Sequence, residues 1–228
     1  PGNRTGMMKI FSLRLCTLLL ALTAAGTAVA DHNFGVGVKA GTLGIGVEGT
    51  WRPLPYLDLR LGANQYDYSD SGLYAGVNYD AEINLDNYYV TGNFRFPLSP
   101  FRLTGGLYSN GNEFNAVSGD NGAIIIIGGD PYPADAVGTL STRATFDSTS
   151  PYFGVGFDFT VLGKVGMNLD FGVLWQGSPQ VSVATDGLLA GDPTFEASLD
   201  AERADLEDEL SDYKAWPVVS LGFVFNFL

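Results

Sequence analysis

The last eleven residues, Val218-Val-Ser-Leu-Gly-Phe-Val-Phe-Asn-Phe-Leu228, constrain this chain more than any other stretch. Val219, Leu221, Phe223, Phe225 and Phe227 alternate with Ser220, Gly222 and Asn226. A two-residue period sends the two sets to opposite faces of a β-strand. One face is apolar and the other small or polar. Such a strand must give its apolar face either to a packed core or to lipid.

The same alternation runs upstream. Phe34, Val36, Val38 and Ala40 share one face; Leu43, Ile45, Val47 and Trp51 share another. The phase flips around Gly41-Thr42, which predicts a tight hairpin, with a β-bulge as the alternative. Leu57, Leu59, Leu61 and Ala63 oppose Asp58, Arg60 and Asn64. Tyr79 to Phe96 reads as one long strand whose phase slips near Asp86-Asn87, predicting a bulge. Phe101, Leu103 and Leu107 oppose Arg102, Thr104 and Tyr108, and Phe153 to Val161 oppose Gly154, Gly156 and Asp158. Val165 to Trp175 then run back.

Short turns are expected at Arg52–Tyr56, Pro97–Pro100 and Leu162–Lys164, and long polar loops at 66–78, 110–145 and 177–215. Short turns at one end and long loops at the other are the pattern of a transmembrane barrel. Strands of ~9–11 residues suit a tilted crossing. An even number of them, eight, puts all three long connections at one end. Outward aromatics are expected in two belts, with Trp51, Tyr56, Phe94, Phe96 and Phe101 by the short turns and Tyr152, Trp175 and Trp216 toward the long loops. The expected fold is all-β: an antiparallel up-and-down transmembrane β-barrel of about eight strands over residues 31–228, with one amphipathic helix in its last outer loop.

The start of the chain reads as an export signal. Pro1 to Gly6 form an upstream extension, and Met7-Met8-Lys9 looks like the true beginning. Lys9 and Arg14 supply a positive n-region, Leu15 to Ala25 an apolar stretch, and Ala28-Val29-Ala30 a cleavage site. Residues 1–30 are thus expected to be removed. Cys16 lies inside them without a lipobox, so no lipid anchor is expected. Residues 1–30 carry three of the 12 basic residues and none of the 25 acidic ones; the remainder has nine basic residues and a net charge of −16. That acidity argues against nucleic acid as a partner. The mature chain has no cysteine, so a disulfide scaffold is excluded and a large core or membrane embedding must stabilise it.

Inward-facing charges form the candidate site. Lys39, Glu48, Arg52, Asp58, Arg60, Glu82, Arg95, Arg102, Asp158 and Asp170 all fall on the polar phase. Charge removed from water needs partners, so the expectation is a structural network inside the barrel, with acid/base work or an ion path as the alternative. One register places Glu48 opposite Arg60 and another Arg52 opposite Asp58. Arg95 and Arg102 should face each other across the second turn and draw on Asp158 or Asp170. Eight strands enclose a space that side chains can fill, which argues against a general porin.

Other motifs are weaker. Gly35-x-Gly37 and Gly44-x-Gly46 precede no helix and are not phosphate loops; small inward residues that let strands close are the plainer reading. Asp120-Asn-Gly and Gly128-Gly-Asp130 lack the spacing of a calcium loop and read as turns. The only histidine, His32, precedes the first strand. A nucleophile–histidine enzyme needs a base within hydrogen-bond reach, so no enzyme, cofactor or transition-metal site is expected.

In the last loop, Asp192-Pro193-Thr194 precedes Phe195 to Lys214, where Leu199, Leu206, Leu210 and Tyr213 recur at helical spacing. The expectation is an acidic amphipathic helix that packs against Ile124–Ile127 as a lid over the barrel mouth. A docking surface for another protein is the alternative.

Several stretches resemble uncharacterised proteobacterial outer-membrane barrels of the broad OmpA/OmpW-like group. They are Lys39-Ala-Gly-Thr-Leu-Gly44, Arg60-Leu-Gly-Ala-Asn64, Pro151-Tyr-Phe-Gly-Val-Gly156, Leu174-Trp-Gln-Gly-Ser-Pro179 and the ending from Trp216 to Phe227. Within that ending, Gly222, Phe225 and Phe227 look like the signal read by the barrel-assembly machinery, although Leu228 follows the final aromatic. The resemblance implies residence in the outer membrane, with its lipids and the assembly machinery as partners, and names no activity. A structural or surface-interaction role through the outer loops comes first. A narrow conduit for small or hydrophobic molecules is the second reading, and a lipid-modifying enzyme the weakest.

Overall fold

Eleven strands form one sheet, and eight of them close on themselves. The structure is a computed structural model and describes residues 33–74, 77–118, 124–162 and 164–227. The expected export signal, His32 and the Asp120-Asn-Gly turn lie outside these residues. The barrel strands are β1 (Phe34–Gly41), β2 (Gly44–Leu54), β3 (Leu57–Tyr74), β4 (Val77–Arg95), β5 (Phe101–Asn110), β10 (Thr149–Leu162), β11 (Val165–Trp175) and β13 (Ala215–Phe227). Each pairs antiparallel with its neighbours, and β13 returns to β1 with Phe34 opposite Phe227 and Gly41 opposite Ser220. This is the closed eight-stranded up-and-down barrel that the alternation predicts. Closure leaves the eight barrel strands without a free edge along the wall.

Burial follows the same parity, turned inside out. Val36, Val47, Leu61, Val90, Leu107, Phe153, Leu221 and Phe223 are exposed on the outside, while Glu48, Asp58, Arg60, Asn64, Arg102 and Asn168 are buried inside. The seam shows why the ending suits closure. Val224 covers Gly35 and Gly37 of β1, where a Cβ would come within 2.8 Å of it.

The long connections are folded rather than loose. β3 and β4 stay paired from Leu57–Phe94 to Tyr74–Val77, where residues 66–78 read as a polar loop. Both faces of this outer half are polar, so no apolar alternation marks it as strand. No bulge interrupts β4 at Asp86-Asn87. Instead β4 changes partner there: Asn87 to Arg95 pair with β5, whereas Tyr79 to Asn84 pair with β6 (Glu113–Ser118). The apparent slip comes from Leu85, which is buried on the inward phase.

β6 continues the sheet outward through β9 (Leu140–Thr145) to β12 (Gln180–Thr185). Between β6 and β9 lie a hairpin, β7 (Ile124–Ile127) and β8 (Asp130–Pro133), and a single helical turn, α1 (Ala134–Val137). Gly128 and Gly129 join the hairpin with φ of 58° and 86°, the positive pair that a two-residue primed turn requires. The long-loop end therefore carries a folded cap. At the first hairpin the positive φ, 92°, falls on Gly44, while Thr42 and Leu43 make the turn.

The expected helix is α2 (Pro193–Glu209), followed by a 3₁₀ turn over Leu210–Lys214. Asp192 caps it, accepting from the backbone N–H of Thr194 (2.9 Å) and Phe195 (3.1 Å), and Pro193 holds the first position.

Candidate functional site

The lumen is filled in layers. Nearest the short turns, Asp58 accepts from Asn93 (2.6 Å) and pairs with Arg95, whose Nη2 lies 2.8 Å from Asp158. Register places Arg95 directly opposite Arg102, as expected, and both lean on Asp158. Arg102 also pairs with Asp170 and donates to Asn93 (2.8 Å) and Thr104 (2.7 Å). Arg60 stands at the centre, 3.2 Å from Asp158, 3.3 Å from Glu48, 3.5 Å from Asp58 and 4.0 Å from Asp170.

Glu48 is opposite Gly62, and Thr50 is opposite Arg60. The Glu48–Arg60 pair is thus diagonal rather than directly across. Arg52 sits in a bulge facing Asp58, where the β2–β3 register shifts between Trp51 and Leu54. Of the ten charges assigned to the lumen, nine line it. The tenth, Glu82, is exposed on the outer half of β4, between Ser69 and Asn115. With no bulge in β4 its even number puts it on the outward parity, with Tyr88 and Val90, and only the phase slip expected at Asp86-Asn87 turns it inward.

Above the charges lies a layer of tyrosines. Tyr89 donates to Glu48 Oε2 (3.0 Å), and Asn168 donates to Glu48 Oε1 (2.9 Å). Lys39 holds its ammonium 4.0 Å from the centre of the Tyr89 ring, a cation–π contact. Tyr108 stacks between Tyr89 (4.9 Å) and Tyr152 (5.3 Å). Tyr152 is therefore interior and not part of an outer belt. So is Trp216, which faces Phe114 and Tyr213 at the mouth. Both have even numbers on strands whose even positions point inward, and parity outweighs the usual preference of aromatics for the interface. The short-turn belt is as expected: Trp51, Tyr56, Phe94 and Phe96 are exposed, and Phe96 lies 5.2 Å from both Phe94 and Phe101. At the other end the outward aromatics are Trp175 and Tyr88.

At the mouth, Asn112 accepts from Asn87 (2.8 Å) and donates to Gln176 (2.9 Å), while Gln176 donates to the carbonyl of Tyr213 (2.9 Å). Asn87 and Gln176 are fully buried. This amide chain ties three connections together at the rim. Hydropathy gives it no signal, because isolated Asn and Gln near loops read as turn residues.

The cap has an apolar core of its own. Ile125, Ile127, Val137, Phe195 and Leu199 cluster, with Tyr132, Leu140, Val183 and Leu189 around them. α2 thus packs on the isoleucine block, through Phe195, Ser198 and Leu199. Leu206 and Leu210 are half-buried and Tyr213 is exposed, so the docked face is the N-terminal third of the helix rather than the whole predicted stripe. The helix lies along β7 and β12, on the cap. Glu113, on β6, accepts from Asn115 and pairs with Arg143; the Asn115 hydrogen bond first, and Arg143 next, hold its carboxyl below the usual range.

Gly222 lies inward against Asn168, where a Cβ would meet the Asn168 side chain at 2.1 Å. Phe225 and Phe227 are half-buried opposite Val36 and Phe34.

The charge network can balance and rigidify. Its four carboxylates, on Glu48, Asp58, Asp158 and Asp170, are all engaged by Arg60, Arg95 or Arg102. Among the described residues no group of three or more His, Cys, Asp or Glu side chains is placed to hold a metal ion.

No protein-family model matches the sequence, and no curated protein matches it. Solved structures do match in fold. Acinetobacter baumannii CarO superposes with a TM-score of 0.57 at 24% identity, covering 85% of this chain and 97% of its own. CarO2 from the same organism gives 0.57 at 22% identity, covering 85% and 98%. A major outer membrane protein from Thermus thermophilus aligns at only 0.37 and 16% identity, covering 86% of this chain and 100% of its own, too distant to bear on the fold.

Proposed function

We propose that this chain is an integral outer-membrane barrel, non-enzymatic, with a sealed lumen and a folded outer cap that serves surface interaction. One observation carries the reading: a closed barrel with apolar residues outside and ion pairs inside. In water that outer face would be a very large exposed apolar patch, which monomeric soluble proteins avoid. In a bilayer it is the solvated face, and closure lets neighbouring strands pair their backbone groups all the way round. The likeness of its fold to that of CarO supports the barrel architecture on which this placement rests.

The short turns then face the periplasm and the cap faces outward. Lipids of the outer membrane surround the barrel. Gly222, Phe225 and Phe227 serve as the segment read by the assembly machinery, after removal of residues 1–30. The filled lumen favours a structural or adhesive role over a conduit. The interior carboxylates are held as arginine partners, which supports a role without catalysis.

Reconstitution into planar bilayers tests the choice. A sealed barrel gives no steady single-channel conductance. A reproducible ohmic conductance would favour a narrow conduit for small or hydrophobic molecules instead.

A further inference from the structure

The ion pairs leave one arginine out. Among the described residues five cations line the lumen (Lys39, Arg52, Arg60, Arg95 and Arg102) against four carboxylates. Arg60, Arg95 and Arg102 take all four carboxylates, and Lys39 lies on the Tyr89 ring. Among the described residues Arg52 makes no ion pair, and its Nε is buried without an acceptor.

Arg52 borders a cavity of about 110 Å³ at the short-turn end of the lumen, also lined by Thr50, Arg60, Arg95, Asp158 and Asn168. Arg60 and Arg95 on this wall are balanced by the carboxylates they pair with, so the excess positive charge of the lining rests on Arg52. The Thr50 hydroxyl also lines it, is 5% exposed and has no hydrogen-bond partner. A buried hydroxyl and a buried guanidinium N–H without acceptors each carry a desolvation cost that a bound acceptor would offset. A water needs ~10–15 Å³ of such space, so a tetrahedral oxyanion fits with water to spare.

We infer that this cavity binds a small oxyanion of the phosphate or sulfate type, held by Arg52 and Thr50 with Arg95 at its side. The planar, multi-donor guanidinium suits such a ligand. Asp158, on the same wall, is already engaged by three arginines, so its repulsion toward an anion is offset. The inference is independent of the proposed surface role, because the cavity lies at the opposite end from the cap.

The test uses the full chain, folded in zwitterionic detergent and titrated with inorganic phosphate at constant ionic strength. Calorimetry and the shift in unfolding temperature are the readouts. Saturable binding is expected, weakened at least about tenfold in Arg52→Gln, since a hydrogen bond to a charged group is lost with the charge. Thr50→Val should weaken it by a smaller factor. In phosphate-free buffer Arg52→Gln should unfold no earlier than the parent, because it removes a cation without an ion-pair partner. Short-chain phosphatidylglycerol is the parallel arm: saturation by that lipid alone would make a headgroup phosphate the source. No saturable response to either probe, or an equal response in parent and Arg52→Gln, would overturn the site.

Discussion

Arg102 lies across Gly156: a Cβ at Gly156 would come within 2.5 Å of the Arg102 Cζ. The two are opposite in register, and Asp170 is the next residue along the same row. The glycine is the floor over which Arg102 reaches its acid two strands away. Tyr89 repeats the device, crossing Gly62 to reach Glu48. Inward glycines therefore mark where a long polar side chain lies down.

Gly156→Val is then expected to disrupt the lumen, displacing Arg102 and costing at least the ~1–3 kcal/mol of an overpacked site. The nearest atom to a Cβ at Gly49, facing out, is 3.9 Å away, so Gly49→Ala should fold as the parent does. Chemical denaturation of the two variants in detergent makes the comparison. Equal stability would contradict the reading of Gly156.

The ion pairs should be more costly to break than to replace. Arg102→Met leaves Asp170 with only Arg60, at 4.0 Å, and Asp158 with two arginines. A loss of about 3–5 kcal/mol is expected for removing one partner of a buried pair. Combining it with Asp170→Asn should recover part of that loss, a coupling that a double-mutant cycle reads directly.

The cap should come apart without the barrel. Phe195→Ala empties the centre of its apolar cluster, and Asp192→Ala removes the helix cap. They are expected to cost the cap roughly 3–5 and ~1 kcal/mol respectively. Limited proteolysis should cut faster within 124–145 and 177–214, while the barrel remains resistant.

Acid should loosen the cap sheet slightly. Glu113 has its folded-state pKa lowered by Asn115 and Arg143, so its contribution is present above the ordinary carboxylate pKa of ~4.3 and is lost as pH falls through the lower folded value. Glu113→Gln should destabilise the cap by less than ~1 kcal/mol at pH 7. Hydrogen exchange across β6 and β9 should show the difference between variant and parent fade below about pH 4.

Much of this was legible in the residues, for a physical reason. A barrel in lipid repeats one rule, apolar out and polar in, on every strand, so Val219 to Phe227 and Leu57 to Ala63 reveal its wall. Arg95 and Arg102 could be placed face to face from one short turn. The rule stops where lipid stops. Above that height both faces of β3 and β4 meet water, so residues 66–78 look like loop, and the inward Leu85 mimics a phase slip that turns Glu82 toward the lumen. Tyr152 and Trp216 went astray for the opposite reason: their chemistry suits an interface, but their parity is inward. The Asn87–Asn112–Gln176 chain depends on contacts between distant segments, which no local pattern carries.

Heat-modifiability on gels tests the central claim most directly. The protein would be extracted from outer membranes and run in SDS with and without boiling. A closed membrane barrel predicts that the unboiled form migrates faster, as a compact species. Identical migration of the two samples, with the protein recovered in the soluble periplasm, would contradict it.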